Sequence, residues 1–345
     1  MNTFIEQFKN LLSNEDAFME FLSGNMVICV LLFIFGLVLI MVGGDRFVDA
    51  SIVISRKLGI PQIIVGATIV SLGTTLPEIL TSATAAFSGE GDMAIGNAFG
   101  SIVCNTALIA AITQLCKPSG GVERSDISWR SILFFVTYGI VSVVGLVTGG
   151  IPRWLGWLLI LGFCLYAFLS VKMTGTAEVK AEGEPEKEAG EKEDGSVLAA
   201  VLIMVICAAL LFFGSKLLVN GGQVIAAKAG VPSGVIAVTF VALGTSLPEL
   251  VTAITSLIKG YADVSLGNII GANTLNLLLV VGIPAAVRGI QIRQMNSFYM
   301  TAPTGLLVML ILILPFWFKK RGYRLQGAAL IAIYAVYCVM QFMYA

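Results

Sequence analysis

Two stretches of this chain carry the same unusual combination of residues. They are Leu72-Gly-Thr-Thr-Leu-Pro-Glu78 and Leu243-Gly-Thr-Ser-Leu-Pro-Glu249, each set in a strongly apolar run. On a helix, Thr74 and Thr75 stand four and three residues before Glu78 and share its face, and Thr245 and Ser246 stand the same way before Glu249. A charged carboxylate in mid-membrane costs at least about 2.5 kcal/mol, so each glutamate needs a partner. Neither motif-bearing span has a Lys or Arg near its glutamate, which leaves a bound cation, a proton, or one proton shared by both carboxyls. Converging carboxylate and hydroxyl oxygens favour a hard cation. Calcium takes roughly six to eight oxygens at about 2.3–2.6 Å and sodium accepts a similar set, whereas magnesium resists dehydration.

Each glutamate follows a proline. A proline inside a helix withdraws one amide donor and crowds the carbonyl four residues earlier, here Gly73 and Gly244, so both motifs are expected to free backbone oxygens. Lipid tolerates such oxygens badly, while a wet ion cavity can use them. Further along, Gly96-Asn97-x-x-Gly100-Ser101-x-x-x-Asn105 and Gly267-Asn268-x-x-Gly271-Ala272-x-x-x-Asn276 combine small residues that allow close helix packing with neutral amides. Asn105 and Asn276 are candidate ligands, directly or through water, because they lie at equivalent depth in the two copies. Asn97 and Asn268 sit near span entrances and read as helix caps. Asp92 and Asp263 read as solvated loop carboxylates.

Composition says what must position these residues. The 345 residues are 57% hydrophobic and 12% charged, with a mean hydropathy of +0.92, too little polar surface for a water-soluble globule. Ten apolar runs can each cross about 30 Å of hydrocarbon as a helix: 26–44, 60–88, 93–116, 129–149, 152–173, 196–219, 232–258, 262–285, 295–317 and 323–344. They are continuously apolar instead of alternating, which points to an all-α membrane protein and away from a β-barrel. Net charge is zero and histidine is absent, which excludes a basic nucleic-acid surface and a histidine-ligated metal. Cys29, Cys104, Cys116, Cys164, Cys207 and Cys338 are scattered without a C-x-x-C pair and read as small core residues. Residues 1–25 read as an interfacial segment, with Phe4, Ile5, Phe8, Leu11 and Leu12 at helical spacing.

A Glu/Lys/Gly-rich connector, 174–195, divides the chain into 26–173 and 196–345, each with five spans; it reads as solvated and cytoplasmic. From about Met41 to Ile109 and from Phe212 to Val280 the halves align without a gap at an offset of 249 − 78 = 171, with about a third of positions identical. Lys57-x-Gly59-x-Pro61 thus meets Lys228-x-Gly230-x-Pro232, and Asp92 meets Asp263. Five spans separate equivalent positions, so the second copy enters from the opposite face, an inverted-topology repeat of the kind that puts a site at the midplane. Fifteen of the 21 Lys and Arg residues fall on one side of this arrangement, making that side cytoplasmic and placing both termini outside the cell's inner (plasma) membrane.

At these residues the sequence resembles the calcium/cation antiporter superfamily, in particular its prokaryotic sodium/calcium exchangers. The two G-T-[TS]-L-P-E motifs and the G-N-x-x-G-[SA]-x-x-x-N stretches look like the paired alpha-repeats of that family. The resemblance implies ten transmembrane helices in two inverted-topology five-helix repeats. Spans two, three, seven and eight would form the core, and the first and sixth a pair that slides against it. It implies that Glu78 and Glu249 bind calcium and sodium, helped by Thr74, Thr75, Thr245 and Ser246. Ser101 and Asn105 would add ligands from the third span, and backbone carbonyls near Ser71 and Ala242 would contribute. The chain departs from several relatives in two places. Ala272 stands where the first half has Ser101, so one hydroxyl is missing, and Asn276 replaces the Asp of potassium-dependent exchangers, which argues against a potassium requirement. Proton/calcium exchangers typically read G-N-x-x-E where T-L-P-E stands here, which favours sodium coupling. Protons are still expected to compete at low pH.

The function expected is sodium/calcium antiport by alternating access, electrogenic and potassium-independent, with no enzymatic activity and no resident cofactor. Its partners would be the two ions and the bilayer, with no nucleic acid, and a monomer is the expected state. The alternatives are proton/calcium or potassium-dependent exchange, and a passive cation channel needing no counter-ion. An intramembrane aspartyl protease would need a peptide groove that these motifs do not suggest.

Overall fold

The computed structural model describes residues 15–118, 124–174, 196–230, 244–293 and 295–344. Nine helices among them are long and apolar enough to cross a bilayer: Met26–Leu58, Gln62–Phe87, Gly91–Cys116, Arg124–Thr148, Arg153–Thr174, Val197–Lys228, Ala262–Arg288, Met295–Lys319 and Arg324–Tyr344. The seventh span of the ten is represented by Leu247–Ile258. The remainder expected for it, 232–243, lies outside the described residues, as do Ala242, Phe4 to Leu12 and the connector from 175 to 195. Before the first span, Glu15–Gly24 is helical and buries Leu22 beside Cys29 and Val224. Asn25 then caps the first span, its Oδ1 accepting from the Ile28 amide at 3.3 Å.

The first and sixth spans run 33 and 32 residues, well past their expected ends at 44 and 219. At 1.5 Å per residue each is roughly 50 Å long. The helix carries on past the charged Asp45-Arg46 pair and buries Phe47, Val48, Ile52 and Ile54; Lys259 takes up both acids on its face, with Nζ 2.6 Å from Asp45 and 2.6 Å from Asp49. Burial works against the Lys259 charge, yet the hydrogen bonds it donates to Asp45 and Asp49 outweigh it and raise its pKa above the usual lysine range. The two long helices lie antiparallel along a seam of small residues that recurs every seventh position, Cys29, Gly36 and Gly43 on one and Cys207, Gly214 and Gly221 on the other. Cys29 meets Gly221, Gly36 meets Gly214, and Gly43 meets Cys207. A Cβ added to Gly36 or Gly214 would stand 2.8 Å from the other's carbonyl oxygen, so these backbones touch.

The eighth span forms the centre. Of an 18-residue apolar stretch within it 94% is buried, against 22% for such a stretch of the first span. Gly267 and Gly271 let it press on the second span, where side chains would run into the carbonyls of Ile63 and Ala67 and the Ser71 hydroxyl, and Gly66 returns the contact against the Val264 carbonyl. Tyr166 of the fifth span donates its hydroxyl to the Ala67 carbonyl from behind.

The contacts at the span ends fix the inversion. Phe87 and Ile258 are equivalent in the repeat (87 + 171 = 258). The Phe87 carbonyl accepts from Arg288 at 2.7 Å, at the far end of the eighth span, whereas Lys259 adjoins that span's start at Ala262. The two copies therefore run oppositely. On the Arg288 side, Gly150–Ile151 and Ile290–Gln291 close a two-stranded antiparallel pair linking the halves. Cys29, Cys104 and Cys207 are buried as expected, but Cys116 and Cys164 are exposed. Cys164 belongs to the outward apolar face of the fifth span with Leu161, Leu165 and Phe168, where a weakly polar thiol is acceptable to lipid.

Candidate ion-binding site

The second span carries Ser71, Thr74, Thr75 and Glu78, all fully buried. The seventh reaches them from the opposite face with Ser246 and Glu249 buried and Thr245 half-buried. Bonds between the halves tie the two motifs together. Thr75 Oγ1 donates to Glu249 Oε1 at 3.4 Å, and Ser246 Oγ donates to Ser101 Oγ on the third span at 3.4 Å.

Thr74 Oγ1 donates to Asn268 Oδ1 at 3.4 Å, and Thr245 Oγ1 donates to Asn97 Oδ1 at 3.2 Å. These two bonds are repeat images of each other, since 74 + 171 = 245 and 97 + 171 = 268. Both asparagines also brace the glutamate helices. Asn97 Nδ2 donates to Ser82 Oγ at 2.9 Å and to the Glu78 carbonyl at 3.2 Å, while Asn268 Nδ2 donates to Thr252 Oγ1 at 3.1 Å. The capping role read from the sequence is therefore replaced. Asn97 and Asn268 lie inside the helices Gly91–Cys104 and Ala262–Leu275, beyond the first turn where amides lack partners. The signal available in the sequence was that each amide recurs across the repeat with a threonine able to meet it.

The prolines behave differently in the two halves. Pro77 lies within the unbroken helix Ser71–Phe87, as expected. Pro248 instead opens the helix Leu247–Ile258, with Thr245 and Ser246 in the preceding turn. The ring would crowd the Gly244 carbonyl in a continuous helix. That carbonyl accepts a hydrogen bond from Ser215 of the sixth span, which packs the two spans together.

The third and eighth spans widen into π-helix at Asn105–Ala110 and Asn276–Val281, beginning at the same repeat position (105 + 171 = 276). The second span does so at Gly66–Val70. Such turns recur at functional sites because they re-aim side chains and loosen the backbone ladder. Here they begin at the two candidate amides, both buried. Ala272 is also buried and offers no oxygen, and Ser71 Oγ donates to the Thr68 carbonyl at 3.1 Å.

Among the described residues, both Glu78 carboxylate oxygens, Glu249 Oε2, Asn105 Oδ1 and both amide atoms of Asn276 are buried without a hydrogen-bond partner. Glu78 and Glu249 lie close enough to repel each other when charged. Buried polar atoms are normally satisfied, and a pair of like charges with three of four oxygens unpartnered among the described residues is what a cation would neutralise. No cluster of three or more His, Cys, Asp and Glu residues occurs among the described residues. The donor set is thus carboxylate, hydroxyl and amide oxygen, which suits calcium and sodium and not softer metals.

The chain matches known proteins along nearly its whole length. The family described as sodium/calcium exchanger protein matches residues 28–172 and 199–343, one stretch in each half. CaxA of Alkalimonas amylolytica is 34% identical over 322 residues, covering 92% of this chain and 99% of that protein. The sodium/calcium exchanger MaX1 of Methanosarcina acetivorans is 27% identical, covering 90% and 98%. The solved structure of the sodium-calcium exchanger NCX_Mj superposes with a TM-score of 0.74 at 28% identity, again covering 90% and 98%. Two inverted halves, each with its glutamate motif and each matched by the family, make this chain an integral membrane protein that belongs to the sodium/calcium exchanger family.

Proposed function

We propose that this antiporter exchanges sodium for calcium at a single midplane cage whose ligands come from Glu78, Glu249, Thr74, Thr75, Thr245, Ser246, Ser101, Asn105 and Asn276, with backbone oxygens near Ser71 and Ala242. The observation that carries the reading is the buried pair of glutamates. Three of their four carboxylate oxygens lack a partner among the described residues, beside a ring of hydroxyls contributed by both halves. Two bare carboxylates are intolerable in a low dielectric, so the cage changes occupants without emptying: calcium leaves as sodium enters. Exchange of conformation between the inverted halves opens it to one face and then the other. The first and sixth spans, meeting along small residues, suit sliding against the buried core.

In this reading the cycle moves net charge and responds to membrane potential by about 2.3 kcal/mol per charge per 100 mV. Asn276 removes the carboxylate that a potassium requirement would use. The protein works as a monomer in the inner membrane with both termini outside, has no resident cofactor, and catalyses no covalent chemistry. Sodium-loaded proteoliposomes test it. Calcium-45 uptake should follow the outward sodium gradient, persist without potassium, and rise or fall with an imposed potential. Uptake indifferent to trans sodium would indicate a channel and sink the proposal.

A further inference from the structure

A second buried polar cluster adjoins the cage and has no counterpart in the other repeat. Asn273 Nδ2, on the eighth span, donates to Thr106 Oγ1 on the third at 2.7 Å and to Met309 Sδ on the ninth at 3.3 Å. Thr106 Oγ1 donates to the same sulfur at 3.3 Å, and Asn273 Oδ1 accepts from Asn105 Nδ2 at 3.3 Å. The repeat equivalents of Asn273 and Thr106 are Ile102 and Leu277 (273 − 171 = 102; 106 + 171 = 277). Only one of the two cage amides can therefore be held this way.

The chemistry gives the cluster a direction. A thioether accepts hydrogen bonds and donates none. The end of Asn273 facing Met309 must be its NH2 group, so its carbonyl oxygen faces Asn105. Asn105 must answer with its own NH2, which turns its carbonyl oxygen the other way. That oxygen is buried and without a partner among the described residues. It lies one helical turn after Ser101, which receives Ser246 of the glutamate motif, so the face it shares is the one turned to the cage.

We propose that Asn273 and Met309 are positioning residues that hold the Asn105 amide oxygen-first toward the cation, making the two cage asparagines unequal. Asn105 is a fixed oxygen ligand, and Asn276 is an adaptable one. The inference rests on the cage reading above. Because the attraction of an oriented dipole scales with ionic charge, the fixed oxygen favours calcium over sodium.

The test is the half-saturation of exchange in proteoliposomes for Asn105→Ala, Asn273→Leu, Met309→Leu and the doubles with Asn105→Ala. Asn105→Ala and Asn273→Leu should each raise the calcium value about tenfold and the near-isosteric Met309→Leu about threefold, where tenfold is 1.4 kcal/mol. For Asn273→Leu the sodium value should move less than the calcium value. Neither substitution should add to Asn105→Ala, because no amide then remains to be oriented. Effects that multiply in the doubles, or an unchanged value for Asn273→Leu, would overturn the inference. If Asn273→Leu fails to fold, the same two outcomes read on Met309→Leu decide. A normal value for Asn105→Ala removes the ligand and its positioning together, whereas a wild-type protein without sodium-driven calcium uptake speaks against exchange itself.

Discussion

Thr75 Oγ1 donates to Glu249 Oε1 at 3.4 Å, so a hydroxyl of the first repeat holds the carboxylate of the second. The repeat-related contact would join Ser246 to Glu78 (75 + 171 = 246; 249 − 171 = 78), but Ser246 donates to Ser101 and both Glu78 oxygens lack partners among the described residues. Glu249 has this anchor from the facing motif, and Glu78 has no matching one from Ser246. If the inverted halves exchange conformations, the opposite state should anchor Glu78 through Ser246 and release Glu249. Thr75→Val and Ser246→Ala should then act on opposite faces, each raising the calcium half-saturation from one side by about three- to tenfold and sparing the other. Oriented vesicles assayed from both sides distinguish this from a cage that both states share unchanged.

Glu78→Gln and Glu249→Gln should each reduce exchange at least about a hundredfold, since a neutral amide cannot offset a cation's charge in a low dielectric. Both variants should remain folded, because each removes one of two mutually repelling buried carboxylates. Calcium-45 uptake paired with thermal unfolding in detergent measures both effects. Near-normal exchange in either variant, or a lowered melting temperature with exchange retained, contradicts the shared cage.

The paired glutamates, the inversion and the span count were legible because each follows from a local pattern: apolar length, a motif, and a constant offset. What escaped were features set by contacts between distant segments. The apolar run of the first span ends at residue 44, where Asp45 and Arg46 follow, and nothing local names Lys259, more than two hundred residues away, as the partner of Asp45 and Asp49 in the helix that continues. Asn97 and Asn268 read as caps because nothing local names Thr245 and Thr74 as their partners. Pro248 reads identically to Pro77, yet it stands at the start of its helix, and the Gly244 carbonyl accepts from Ser215, a partner no local pattern names.

Ala272 stands where the repeat would place a hydroxyl opposite Thr75, just as Ser101 stands opposite Ser246. Ala272→Ser should supply that oxygen with only a small change in volume at a buried site. The sodium half-saturation should fall by about three- to tenfold, the value of one added polar contact. Calcium uptake against graded trans sodium reads this out, and an unchanged sodium dependence would show that the cage does not extend to position 272.

Lys259 ties the first span to the end of the seventh through Asp45 and Asp49. The repeat counterparts of these three residues are Ser88, Lys216 and Asn220, which cannot form an ion pair among themselves, so the opposite face has no equivalent clasp. If the first and sixth spans slide during transport, the clasp weights one of the two end states. A partly exposed ion pair is worth about 0–1 kcal/mol, so Lys259→Gln should shift the balance between states by up to about fivefold. A change in population leaves the cage itself intact. Calcium half-saturation should therefore move in opposite directions when assayed from the two faces of oriented vesicles, because the binding-competent fraction rises on one side as it falls on the other. High salt should reproduce part of the effect in the wild type by screening the exposed carboxylates. A shift of the same sign from both faces would instead mean that Lys259 acts on the cage, and no shift would mean that the clasp is indifferent to the transport cycle.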